Sequence, residues 1–414
     1  MKKDMIKLNF KNIFFFFIFL YASLLLGFYF NEDTTGGAFL DYKGQKNVSQ
    51  AFAIDFKNTL LNYDNFATRH SPILIIFLLF FEYLDINDQI IRIIHLNLCL
   101  TLPIIFYLIL KEKFKNIRNE YILLIVGLIF ISPTFRSLAI WPDSRLFGLI
   151  FFSISILHYL NFDNYKKFNY CLYNIFFCAL ASYVSPNFSI FSIYFFYGFV
   201  KYYKFLSKEI LLIILFNLLL AIPAFYYLFI LEINFLMKTA IISDEIELLF
   251  FKNISNQILI IPTIIFFYLF PFVALKLIEI KTTHIKKISF ISIIIFLICL
   301  FFFDYKYSFT GGGIFFKISY YLFNNNYLFY LISLISIIFL GIISANKIDN
   351  FLLFFLLLLN NPQISIYHKY YDPFLLILAL SIFNFRFNLK KINLYKLKFI
   401  YLYFLFFLIM SFFK

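Results

Sequence analysis

Apolar runs separated by short polar ones repeat along the whole chain. Runs long enough to cross a bilayer occur near 12–30, 93–110, 121–135, 146–160, 168–184, 188–203, 210–231, 257–275, 288–303, 327–345, 348–360, 373–385 and 394–412. A helix needs roughly 20 apolar residues to cross squarely, and about 17–25 in practice. The pattern predicts an all-α, polytopic integral membrane protein with about 13 transmembrane helices. The stretch "SPILIIFLLFFEYL", 71–84, is apolar but short, opened by Pro72 and closed by Glu82. That length predicts an interfacial or re-entrant helix rather than a crossing.

Charge fixes the expected orientation. If 71–84 does not cross, the loops at 1–11, 111–120, 161–167, 201–208, 276–287, 346–349 and 386–398 share one face. They hold most of the 36 Lys and Arg. Basic loops stay in the cytoplasm. The segments 31–92, 132–145, 232–256, 304–326 and 360–373 then face outward. The net charge of +14 reads as this loop bias, so no nucleic-acid partner is expected. The N-terminal apolar run is long and lacks a clear small-residue cleavage site, so it reads as an uncleaved first span.

Composition agrees. The chain is 63% hydrophobic and only 14% charged, against roughly a quarter charged in soluble domains. Its 66 Phe rise together with Ile, Asn, Lys and Tyr, so aromatic abundance carries no cofactor signal. Cys99, Cys171, Cys178 and Cys299 lie in apolar runs without metal-site or disulfide spacing. One membrane domain over 1–414 is expected, with 31–92 as a first external loop carrying interfacial helices.

Candidate chemistry collects in three outward segments. "NEDTTGGAFLDYKGQ", 31–45, carries Glu32, Asp33 and Asp41 around Gly36-Gly37. Val48, Phe52, Phe56 and Leu60 follow at helical spacing, as in an amphipathic helix lying on a membrane. A carboxylate held at that interface is partly dehydrated, which suits a general base. The alternative for Glu32 and Asp33 is a helix end kept wet. "SPTFRSLAIWPDSRL", 132–146, holds Arg136, Trp141, Asp143 and Arg145. Its guanidinium forks suit phosphate, Trp141 reads as a headgroup anchor and Asp143 as a helix cap. "NNPQISIYHKYYDPFLL", 360–376, gathers His368, Lys369, Tyr370, Tyr371 and Asp372. "FTGGGIFFK", 309–317, lacks the Gly-Lys-Ser/Thr ending of a phosphate loop and reads as a flexible turn. Asp33 and Asp41 leave room for a divalent cation, Mg or Mn.

The stretches "GGAFLDY", "RHSPILIIF" and "YHKYYDPFLL" resemble those of bacterial GT-C glycosyltransferases, polytopic enzymes that use polyprenyl-phosphate sugars. The resemblance implies an acidic residue in the first external loop, followed by juxtamembrane helices. It implies transfer of a sugar from a polyprenyl-phosphate-linked donor to a glycan, lipid or protein acceptor, with inversion, at the external face of a bacterial inner membrane. The acidic pair of some relatives stands here as Glu32-Asp33 in inverse order, which leaves Asp33 and Asp41 both open for the family role. The implied assignments are Asp41 as base and Asp33 as helper or metal ligand. Arg136, Arg145, Lys369 and Arg69 are implied for the donor phosphate. His70, Tyr42, Asp143, His368 and Tyr371 are implied for substrate. A flippase or transporter of lipid-linked glycans is the competing reading, but no duplicated halves or mid-span charges favour it. A polysaccharide polymerase or ligase would concentrate arginines in a large later loop.

Overall fold

A computed structural model describes residues 10–66, 72–230, 246–279, 285–306, 311–345, 347–361, 365–387 and 391–413. Most of them are helical. Among the described residues, seven helices are long and apolar enough to cross a membrane: Lys11–Tyr29, Asp88–Lys113, Ser144–Tyr165, Lys208–Phe225, Asn253–Ala274, Tyr327–Ser344 and Leu394–Ser411. Phe168–Val184, Gly313–Phe323 and Ile348–Leu359 are apolar but shorter. This is the make-up of a polytopic membrane protein.

The helices bury aliphatic and aromatic side chains against one another and turn many more outward. Lys208–Phe225 buries only Ile210 and Ile213, as a lipid-facing helix would. Polar links between helices are short side chains. Asn174 donates to the Ser155 carbonyl at 2.8 Å, and Ser155 Oγ donates to the Asn174 carbonyl at 3.0 Å. Such pairs hold helices together where apolar burial gives no preference. The sole sheet among the described residues is a two-residue antiparallel pairing of Ile278–Glu279 with Arg386–Phe387.

Three departures from the sequence pattern build the functional region. The run at 121–135 does not continue as one straight crossing: Asn119–Ile131 and Pro133–Ile140 meet at 65°. Pro133 disfavours helix at the residue before it, and Ser132 is extended, its hydroxyl accepting from Phe135 N at 3.0 Å to cap the next helix. The segment expected as an outer loop at 132–145 is therefore largely a buried helix, the second arm of this bent pair. All eight residues of Pro133–Ile140 are buried.

The amphipathic helix starts earlier than its apolar spacing indicates and runs Ala38–Ile54. Asp55 ends it and caps Phe56–Leu61, so Phe56 is exposed rather than in line with Val48 and Phe52. Val48 and Phe52 pack with Tyr63, Ile75 and Leu79. Their partner helix, Pro72–Tyr83, has 12 residues, about 18 Å at 1.5 Å per residue, short of a roughly 30 Å hydrocarbon core. Finally, the Gly-rich segment read as a flexible turn ends in a helix, Gly313–Phe323, and Gly312 N donates to the Ile366 carbonyl at 2.8 Å.

Candidate functional site

The first polar loop is organised around Asp33. Its carboxylate accepts from the backbone N–H of Gly36, Gly37, Ala38 and Phe39 at 3.0–3.2 Å and from Thr35 Oγ1 at 3.1 Å. The helix Ala38–Ile54 has Gly37 at its N-cap, with no side chain to offer. Asp33 supplies that cap from four residues away. Gly36 sits at φ 69, a conformation that glycine adopts without strain. Asp41 is thereby fixed in the first turn of the helix.

Glu32 and Arg136 form a buried, two-pronged pair, with Nε to Oε1 at 2.7 Å and Nη2 to Oε2 at 2.6 Å. Arg136 also donates to Ser23 Oγ, the Ser23 carbonyl and the Phe130 carbonyl. All five of its N–H groups are thus engaged. Gly27 makes room for the pair: a Cβ there would overlap the Glu32 carboxylate. Trp141 Nε1 donates to the Glu32 carbonyl at 3.1 Å, and Arg92 stacks 3.5 Å above the Trp141 ring. Thr34 Oγ1 reaches the Pro133 carbonyl at 2.8 Å. These contacts seat the loop at 32–37 on the buried helix Pro133–Ile140 and the turn after it.

A second charged group lies at the surface of this platform. Asp143 caps Ser144–Tyr165 through Arg145 N at 2.7 Å and grips the Arg145 guanidinium at 2.9 and 2.8 Å. That hold aims Arg145 at Asp41, 2.8 Å away. Lys369 approaches the same Asp41 oxygen at 3.2 Å. The Asp41 side chain is 34% exposed, against 12% for Arg145 and 14% for Lys369. The Tyr370 ring lies 5.2 Å from the guanidinium. Burial and the Arg145 charge lower the Lys369 pKa below the usual lysine value, with Asp41 pulling the other way. Two cations, the part-exposed Asp41 carboxylate and the buried Asp143 carboxylate, brought from three distant segments, therefore share one corner.

Beneath that corner is a cavity of about 30 Å³, bordered by Arg145, Lys369, Asp372, Thr134 and Asn360. Asp372 closes its floor. It accepts from Ser132 Oγ at 2.7 Å and Thr134 N at 2.9 Å, tying the loop at 365–373 to the start of Pro133–Ile140. Burial pushes the Asp372 carboxyl pKa up, and the bonds from Ser132 and Thr134 oppose the shift. A far larger cavity, about 310 Å³ and mostly apolar, opens between Phe168–Val184, Ser192–Tyr203 and Lys208–Phe225. The turn Pro186–Phe191 borders both spaces: Pro186 and Ser189 line the larger, Asn187 and Phe188 the smaller.

No family model, curated protein or solved structure matches the chain.

Among the sequence candidates, Asp41, Arg145 and Lys369 are brought together. Others are redirected. Arg136 is not a phosphate ligand here, because Glu32 and the first helix take its donors. Asp33 has its oxygens committed to backbone N–H groups. Asp143 is fully buried behind Arg145 and positions it. Tyr42 points inward and donates to Asp88 at 2.5 Å. Tyr371 is buried, its hydroxyl on the Leu357 carbonyl at 3.3 Å. His368 faces Tyr268, with Nε2 3.0 Å from the hydroxyl, among Phe267 and Phe407. Trp141 is buried instead of anchoring at headgroups. Arg69 and His70 lie outside the described residues.

A divalent cation does not fit Asp33 and Asp41, since N–H donors surround the first and two cations flank the second. No group of three His, Cys, Asp or Glu among the described residues could hold a metal. The sequence reading missed Arg92, Asp88 and Lys46. Lys46 and Asp88 pair at 2.8 Å beside Tyr42. Arg92 and His95 lie one helical turn or less from Asp88 or each other, but nothing in their spacing announces Trp141 or the Ala139 carbonyl as partners.

Proposed function

We propose that the protein transfers a sugar from a polyprenyl-phosphate-linked donor to a hydroxyl acceptor at the external face of the membrane. The observation that carries this reading is the convergence of Asp41, Arg145 and Lys369. A glycosyl phosphate needs cations where its leaving oxygen gains charge, and its acceptor needs a base. The adjoining apolar cavity adds space for part of a prenyl chain next to a cationic corner.

In this reading the lipid phosphate competes with Asp41 for Arg145 and Lys369. Asp41, released from both, takes the proton of the attacking acceptor hydroxyl. The new bond joins that oxygen to the anomeric carbon. The bond from carbon to phosphate oxygen breaks, and its electron pair leaves on the lipid phosphate beside the two cations. The displacement inverts the anomeric centre. Asp143 holds Arg145 in place, and Asp33 holds the helix that carries Asp41. The architecture is GT-C-like, with the about 13 crossings expected from the apolar runs of the sequence, in a bacterial inner membrane. The acceptor is a glycan, lipid or protein.

The test gives purified protein in nanodiscs a panel of polyprenyl-phosphate sugars and a membrane-glycan extract. Protein-dependent release of free polyprenyl phosphate is expected. Movement of intact lipid-linked sugar across vesicles, without release, would instead establish a transporter.

A further inference from the structure

Next to the cationic corner lies a set of buried amides. Asn253, Asn256 and Gln257 share one face of Ile246–Ala274, at spacings of three and four residues. Asn256 Nδ2 donates to Asp304 Oδ1 at 2.7 Å, and Asp304 N donates back to Asn256 Oδ1 at 3.2 Å. Gln257 Nε2 donates to the Asn361 carbonyl at 2.8 Å, and Asn361 Nδ2 to the Ser365 carbonyl at 3.3 Å. These bonds are the interhelical links expected in an apolar bundle. Asn360 Oδ1 and Asn361 Oδ1 are buried and have no hydrogen-bond partner among the described residues. Asn360 is 4% exposed and borders the same cavity as Arg145 and Lys369.

A buried acceptor without a donor costs free energy that a ligand donor or a water recovers. A lipid phosphate cannot supply that donor, because its ionised oxygens only accept. The missing donor is a water in the resting cavity, replaced on binding by a ligand hydroxyl or N–H close to the anion. We infer that Asn360 is a recognition residue for a hydroxyl of the sugar attached to the phosphate, so that the corner selects a glycosyl phosphate over a bare lipid phosphate. This rests on the lipid-phosphate reading above and narrows it to a ligand carrying an anion and a neighbouring hydroxyl. Asn360 ends Ile348–Leu359, so its backbone position is set by that helix rather than by the ligand. The cavity of about 30 Å³ holds about one water. Displacement of Asp41 from Lys369 by the phosphate is what would admit a sugar edge.

The test measures binding of farnesyl phosphate and of farnesyl phosphate carrying glucose, mannose or arabinose to wild-type protein and to Asn360→Leu. Leucine keeps the side chain's shape and removes the acceptor. At least one sugar-bearing probe is expected to bind about tenfold tighter than bare farnesyl phosphate. That advantage should vanish in Asn360→Leu while bare farnesyl phosphate binds as before. Asn360→Ala, which also lacks an acceptor, serves if the leucine variant does not fold. Equal binding of all probes to wild type, or equal weakening of all probes in the variant, would overturn the inference. If no farnesyl probe binds, the lipid-phosphate reading falls. Methyl glycosides then decide the subsite alone: binding lost in the variant retains it, and no binding removes it.

Discussion

The Arg145 guanidinium meets the Asp41 carboxylate at 2.8 Å, although 104 residues separate them. Asp143 makes that contact directional. It binds the backbone N–H and two guanidinium nitrogens of Arg145 from a fully buried position. Asp143→Asn keeps an acceptor but loses the charge that orients the fork. Farnesyl phosphate should bind this variant about tenfold more weakly, with unchanged helical content by circular dichroism. Undiminished binding would show that Arg145 needs no such support.

Glu32 and Arg136 are a structural pair in this account. Breaking a buried ion pair from one side costs about 3–5 kcal/mol. Glu32→Gln or Arg136→Met should therefore lower the thermal midpoint sharply, and the double variant Glu32→Leu/Arg136→Met should recover part of the loss. Direct loss of lipid-phosphate binding in Arg136→Met, with stability intact, would return Arg136 to the ligand-binding set.

Lys369 sets an alkaline limit. Its pKa is lowered, so the ammonium is lost as pH rises through a value below the usual 10.5. In the proposed function, phosphate binding needs the ammonium. Affinity for farnesyl phosphate should hold at neutral pH and decline before that of an ordinary lysine site would. Lys369→Arg should shift the decline upward, because guanidinium stays charged. An unchanged pH profile in Lys369→Arg would remove Lys369 from the site.

Asp372 is linked to stability with the opposite sign from a salt-bridged acid. Its folded pKa lies above the ordinary 3.8. Its contribution is full below the unfolded value and is lost as pH rises through the folded one. Asp372→Asn retains an acceptor for Ser132 and Thr134 and should flatten that part of the pH dependence of the thermal midpoint. Asp372→Ala loses the cap, about 1–2 kcal/mol, at every pH. Parallel profiles for wild type and Asp372→Asn would contradict the assignment.

Much of this was legible in the chain and some was not. Length and apolarity mark Lys11–Tyr29 or Leu394–Ser411 as crossings because a bilayer demands just those properties. The polar segments holding Asp41, Arg145 and Lys369 stand out because charge is rare in so apolar a chain. Pairing was not legible. Glu32 and Asp33 are adjacent and chemically alike, yet one meets Arg136 across the bundle and the other caps its own loop. Local spacing cannot reveal a partner 104 residues away. The break at Ser132-Pro133 was signalled by the proline, but the polar ties of the following segment to Asp372 and Glu32 were not, since both lie elsewhere in the sequence. The larger cavity has no motif at all, since aliphatic lining residues look the same in a packed core.

The central claim is that Asp41 takes the acceptor's proton while Asp33 only shapes its helix. Its most direct test is single-turnover release of polyprenyl phosphate by wild type, Asp41→Asn and Asp33→Asn, at donor concentrations that saturate binding. The account predicts release abolished in Asp41→Asn with donor binding retained, and release in Asp33→Asn that falls only as far as the folded fraction does. Full release in Asp41→Asn would contradict it.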